Sequence, residues 1–112
     1  MSPLQITLRD AVTGPVLNIT GELDYTNAAE LLDRITAVAL LPGRRLVLDL
    51  GGMRFCDSSG ISALIAARNH ALAAQADFAL AAVPDHTLRV LRIVGLDQIL
   101  TFHPDSDTAT RP

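Results

Sequence analysis

Along residues 4–9, Leu4, Ile6 and Leu8 alternate with Gln5, Thr7 and Arg9. That period of two predicts a strand with one buried face. Thr13-Gly14-Pro15 is a turn signal, and residues 16–20 predict a second strand, paired with the first as a hairpin. Residues 21–25 then read as a loop. From Asn27 the period lengthens: Ala28, Leu31, Leu32, Ile35, Val38 and Ala39 recur at helical spacing until Pro42-Gly43. Asn27 with Glu30 three residues on predicts a capping box, and Glu30 with Arg34 a surface i, i+4 pair.

Residues 45–50 are mostly apolar and predict a short strand buried on both faces; residues 51–57 form the loop that leaves it. A second helix is predicted from Ser58, with Ile61, Leu64, Ile65 and Leu72 on its buried face and Ala66, Ala67, Ala71 and Ala73 favouring helix. Arg68 falls near that face and must snorkel its charge outward. Residues 78–83 predict another buried strand. Pro84-Asp85 opens a third helix through Leu88, Leu91 and Val94, closed by Gly95, and residues 99–102 a last strand. The order β-β-α-β-α-β-α-β implies the α/β class: one mixed sheet with helices packed on it. The domain spans residues 4–103, and residues 104–112, rich in Asp, Thr and Pro, are expected to form a flexible tail.

Composition narrows the function. A chain of 112 residues with 49% apolar and 19% charged residues is large enough for one folded domain with a proper core. A net charge of −3 with no basic stripe argues against nucleic acid as a partner. A single Cys56 forms no internal disulfide, which suits a reducing compartment. The opening Met1-Ser2-Pro3-Leu4-Gln5 lacks a basic and apolar leader pattern, and no apolar run nears the ~20 residues of a membrane span. The expected address is the cytoplasm, with no membrane partner.

The informative chemistry sits at the start of the second helix, Asp57-Ser58-Ser59-Gly60. Ser58 is placed to cap the free N–H groups of the first turn, and Asp57 to cap or to face the helix dipole. Ser59 is a second candidate cap. Gly60 is a poor helix former, so a close approach to its backbone is expected. Asp24 is either a local turn former or a partner contact. Asp49 is expected to be hydrogen-bonded at a sheet edge, and Cys56 to be a small buried hydrophobe. His70, His86 and His103 lack metal-site spacing and are expected on the solvated surface. A hydrolase elbow needs Gly-x-Ser-x-Gly, but Cys56 stands at the first Gly position. Catalysis and cofactors are therefore not expected, and neither is turnover of esters, peptides or nucleotides.

Three segments together resemble the STAS-domain family of bacterial anti-sigma factor antagonists. They are Gly21-Glu22-Leu23-Asp24; the strand Leu46-Val47-Leu48-Asp49-Leu50 followed by Phe55-Cys56-Asp57-Ser58-Ser59-Gly60; and Ile93-Val94-Gly95-Leu96. The resemblance covers about residues 4–103. It implies a STAS-like fold and a switch. The unmodified chain would bind an anti-sigma factor that is also a serine kinase, releasing a sigma factor; phosphorylation of Ser58 would end binding, and a cognate phosphatase would reset it. Asp24, Asp57, Ser58, Ser59 and Gly60 would form the partner-binding surface, in the setting of stress response or sporulation. The alternative it implies is an accessory or scaffold subunit of a stress-signalling assembly or a transporter. Ser62 and Ala63 depart from relatives that often carry Gly there, which bears on partner choice.

Overall fold

The computed structural model describes residues 4–112. The first alternating segment forms β1, Gln5–Ala11, and turns at Gly14 into β2, Gly14–Leu23. Gly14 has φ +152°, and a Cβ there would lie 2.1 Å from the Arg45 carbonyl oxygen, so only glycine fits the turn. The 3.6-period segment forms α1, Ala28–Thr36. There follow β3, Arg45–Cys56; α2, Ser58–Ala73; β4, Asp77–Ala81; and α3, Asp85–Ile93. A 3₁₀ turn at Leu96–Gln98, a two-residue β5 at Phe102–His103 and a short α4 at Ser106–Ala109 complete the chain.

Strand order in the sheet follows chain order, β1-β2-β3-β4-β5. β1 and β2 are antiparallel, and every later pair is parallel. Successive right-handed crossovers stepping in one direction put α1, α2 and α3 on the same face. There Leu17, Ile19, Leu46, Leu48, Leu50 and Leu80 of the sheet pack against Leu31, Ile35, Leu64 and Leu91 of the helices. The expected mixed α/β sheet is therefore the observed one.

Two boundaries differ in a way that matters for the site. β2 and β3 run on through segments expected to be loops, because they pair with each other there. Thr20 faces Gly52, Gly21 faces Met53, Glu22 faces Phe55 and Leu23 faces Cys56, with register shifts after Asn18 and Gly21. β3 has partners on both sides, so Asp49 is not at an edge; its Oδ1 accepts the Gly51 N–H at 2.9 Å. β4 stops at Ala81, before Ala82 at φ +53°. The last strand starts three residues later than expected and is only two residues long.

The buried face of α2 is built from Gly60, Ala63, Leu64, Ala67 and Ala71. Leu72 is exposed, and Ile61 and Ile65 are half-buried. On the buried face only Leu64 is large; Gly60 and the three alanines let the helix sit close, while Ile61, Ile65 and Leu72 lie toward its flanks. Arg68 snorkels as expected, its Nε donating to the Ile99 carbonyl at 3.3 Å. Arg34 does not meet Glu30 at ion-pair distance; its Nη2 donates to the Ile6 carbonyl at 3.1 Å. A buried backbone acceptor is the stronger lure than an exposed carboxylate.

The largest departure is the C-terminal segment, expected to fray. Ala109 is fully buried on the opposite sheet face against Val16, Val47, Ala79 and Ala81. Arg45 Nη1 donates to the carbonyls of Ala109 and Arg111, both at 2.8 Å, and the Thr13 hydroxyl donates to that of Thr110 at 2.8 Å. Asp105 caps α4 by accepting the Thr108 N–H at 2.7 Å, and this bond leads the interactions that hold its carboxyl below the usual range. An apolar sheet face needs a cover, and one alanine in a polar segment supplies it. No helix among the described residues is long and apolar enough to cross a membrane.

Thr87 in α3 is 2% exposed, and its hydroxyl has no hydrogen-bond partner. An unsatisfied buried hydroxyl costs about 1–3 kcal/mol. Thr87→Val keeps the shape and removes the hydroxyl, so urea unfolding is expected to show a gain of about 1 kcal/mol; a loss would mean that the hydroxyl has a partner.

Candidate functional site

Asp57 stands between β3 and α2 with extended backbone (φ −93°, ψ −173°), the conformation of a helix N-cap. The cap is thus Asp57, and Ser58 is the first helical residue. Asp57 Oδ1 accepts the Gly60 N–H at 3.0 Å, satisfying one free donor of the first turn. Its Oδ2 accepts the Tyr25 N–H at 3.3 Å, and its own N–H donates to the Leu23 carbonyl at 3.2 Å. One residue therefore ties the loop after β2 to the start of α2.

That loop is locally built. Asp24 Oδ1 accepts the Thr26 N–H at 2.9 Å and also the Thr26 hydroxyl, a turn closed by its own side chain. Asn27 is buried and points backwards: its Oδ1 accepts the Asp24 N–H at 2.9 Å, and its Nδ2 donates to the Glu22 carbonyl at 2.8 Å. The expected Asn27–Glu30 capping box is absent, because the Asn27 side chain is spent on the loop and makes no cap bond to α1. The result is a rigid corner with Tyr25 79% exposed at its tip.

Ser58 is exposed, Ser59 half-buried and Gly60 buried. A Cβ on Gly60 would lie 2.6 Å from Cys56 Sγ, 2.9 Å from Leu23 Cγ and 3.0 Å from the Leu23 carbonyl oxygen. The close approach expected at this glycine is made by the chain itself, and it seats α2 against the end of the β2–β3 pair. Ser62 is exposed, and its hydroxyl donates to the Ser58 carbonyl at 3.0 Å.

Beside Ser58 lies an open groove of about 520 Å³, lined by Cys56, Asp57, Ser58, Ile61, Ser62, Val90 and Val94. Its floor and far wall are apolar. Val90 and Val94 of the α3 end are 40% and 58% exposed, and the neighbouring Ile93 is 77% exposed. Val94, expected within the third helix, is its C-cap and faces outward, while Thr87 and Leu91 fill the buried side of α3. The contribution of Ile61, Val90 and Val94 is the part of the site that residue motifs miss. A signal exists nonetheless: Leu88, Val90, Leu91, Ile93 and Val94 are too many apolar residues for one face of so short a helix.

The Cys56 thiol is pushed up to about 12, mainly by burial and secondly by the Asp57 carboxylate, so at neutral pH it is not a thiolate. The Asp57 carboxylate is committed to two backbone N–H groups. His70, His86 and His103 lie outside the lining, and His70 and His103 are half-buried rather than fully solvated. Among the described residues no group of three His, Cys, Asp or Glu is placed to hold a metal.

Removing the knot tests its weight. Asp57→Ala is expected to cost about 1 kcal/mol for the lost cap, with further loosening of the Tyr25 loop. Asp57→Asn, which keeps the Oδ1 acceptor, is expected to restore most of it in urea unfolding. Equal losses for both variants would place the effect in the charge rather than the cap.

The profile of the family described as "Mlab, STAS domain" matches residues 6–101. The anti-sigma-F factor antagonist RsfB of Mycobacterium tuberculosis is 30% identical over 95 residues, which are 85% of this chain and 77% of RsfB. The crystal structure of an anti-sigma factor antagonist from Mycobacterium paratuberculosis superposes with a TM-score of 0.83 at 28% identity, covering 97% of this chain and 95% of that one. The phosphorylated form of the Bacillus cell fate determinant SpoIIAA shares the fold, with a TM-score of 0.69 at 15% identity over 94% of this chain and 96% of its own.

Proposed function

Because the chain belongs to the STAS domain family, we propose that it is an anti-sigma factor antagonist of the cytoplasm, switched by phosphorylation of Ser58. In its unmodified form it binds an anti-sigma factor with serine-kinase activity and so frees a sigma factor. A phosphate on Ser58 ends that binding, and a cognate phosphatase restores it. It does no chemistry of its own.

The observation that carries this reading is an exposed serine at the first position of a sixteen-residue helix, beside an apolar groove. A hydroxyl there is open to a kinase, and the positive end of the helix dipole tolerates a phosphate. The competing hydroxyls are worse substrates: that of Ser62 is bonded to the Ser58 carbonyl, and that of Thr87 is buried. The binding surface comprises Ser58, Ser59, Asp57 and the Asp24–Tyr25 corner, with Ile61, Val90 and Val94 as the apolar contact. Gly60 serves it from beneath, by holding α2 in place.

The test is capture of the partner from native extract on the immobilised full chain, followed by incubation with that partner and ATP. The expected catch is a histidine-kinase-like ATPase that adds one phosphate, mapped to Ser58 by mass spectrometry and absent in Ser58→Ala. Phosphate on Ser62 or Thr87, or capture of a transporter ATPase, would overturn the assignment.

A further inference from the structure

At the opposite end of the twelve-residue β3 from Ser58 lies a second open cavity of about 520 Å³, within the range of small-ligand sites. Its lining unites Arg45 at the start of β3, Arg68 on α2 and Arg111 beyond α4. These are three of the nine basic residues in a chain whose net charge is −3. None of them has a carboxylate within ion-pair distance; among the described residues the ion pair is Arg54 with Glu22, at 4.0 Å. Arg45 spends only Nη1 on the two tail carbonyls, and Arg68 turns Nε to Ile99 and Nη1 to Asn69. His103 also lines the cavity, Asp77 is the one acidic side chain in the lining, and the Asp105 carboxylate that caps α4 lies near Arg111 and His103.

The other wall is apolar. Leu72 and Ile99 are 46% and 48% exposed, beside Phe78. Guanidinium groups are forked donors suited to phosphate and carboxylate, and three together favour the more highly charged group. We propose that this cavity binds a small organic phosphate, its phosphate held by Arg45, Arg68 and Arg111 and its body lying on Leu72, Phe78 and Ile99. The ligand would also brace the C-terminal segment, because Arg45 and Arg111 belong to the contact that docks it on the sheet. The site is independent of the Ser58 switch.

Phenyl phosphate is the probe, titrated into the full chain at low ionic strength and followed by backbone amide shifts. Saturable binding with a dissociation constant below about 1 mM is expected under these weakly screened conditions. Shifts are expected at Arg68, Leu72, Phe78, Thr101 and Arg111 and not at Ser58 or Ile61. Inorganic phosphate, which lacks the ring, and benzoate, which carries less charge, are each expected to bind at least about tenfold more weakly, as is the Arg68→Gln/Arg111→Gln double variant against phenyl phosphate. The Arg89→Gln/Arg92→Gln pair on α3, an equal change of charge elsewhere, is expected to leave binding unaltered. No saturation, shifts scattered over the surface, or equal loss in the two double variants would overturn the site. Benzoate binding as tightly as phenyl phosphate would overturn the ligand class.

Discussion

A chain carrying phosphate on Ser58 is expected to bind its partner at least about a hundredfold more weakly than the unmodified chain, roughly 2.7 kcal/mol. The phosphate brings about −1.5 to −2 charges to the rim of an apolar groove, next to the Asp57 carboxylate and on the same corner as Asp24. A partner surface fitted to a neutral hydroxyl would then have to desolvate that charge, accommodate its bulk and approach two carboxylates. The cost falls on the complex and not on the fold: Ser58 is exposed, and the helix dipole favours an anion there. The melting temperature and far-ultraviolet spectrum of the phosphorylated chain are therefore expected to match those of the unmodified one. Ser58→Ala loses only a hydroxyl and is expected to keep its affinity within about threefold, a change of well under 1 kcal/mol. Ser58→Asp is expected to fall between, since it carries less charge and fewer acceptor oxygens. Calorimetry with the purified partner measures all four forms. Equal affinity for phosphorylated and unmodified chain would sink the switch, and unfolding on phosphorylation would replace the mechanism with a structural one.

Gly60→Val is expected to be among the most destabilising single changes in the chain, by about 3 kcal/mol, and Gly60→Ala to cost about 1–2 kcal/mol. Two effects oppose each other at Gly60→Ala. Alanine is the better helix former by up to about 1 kcal/mol. Against this, its Cβ would enter space held by Cys56 Sγ at 2.6 Å and by the Leu23 carbonyl oxygen at 3.0 Å. The sulfur can turn aside, but the carbonyl is backbone and accepts the Asp57 N–H, so it moves only by breaking the tie between the loop and α2. Overpacking therefore wins. In thermal unfolding, about 4–8 °C is lost per kcal/mol for a small domain, so the valine variant is expected to melt more than about 10 °C lower. A Gly60→Ala variant more stable than the parent would show that the space above Gly60 is open and that its role is contact with a partner.

These two outcomes separate the parts of the site that the residues announce from the parts that folding assembles. Asp57-Ser58-Ser59-Gly60 announces a helix start by local chemistry alone, a capping carboxylate three residues before a free N–H, and the structure puts the helix there. Which residue caps was less legible. Both Asp57 and Ser58 suit the role, and Asp57 takes it because its second oxygen also reaches Tyr25, 32 residues away in the chain.

Periodicity and capping act over a few residues, so the sequence by itself determined the order of strands and helices, the one-domain α/β class, the buried strand at 46–50 and an exposed serine at the head of α2. Contacts between distant segments were settled only in three dimensions. The pairing of Gly21, Glu22 and Leu23 with Met53, Phe55 and Cys56 turned two expected loops into strand and carried Asp24 to Asp57. The placement of α3 decided that Leu91 would be core while Val90 and Val94 became one wall of the groove beside Ser58. The bare second face of the sheet drew Ala109 out of a segment whose composition reads as a tail and brought Arg111 to the same cavity as Arg45 and Arg68. In each case the local pattern permitted several partners, and the choice was made by which apolar surface was left to cover and which backbone groups were left to satisfy.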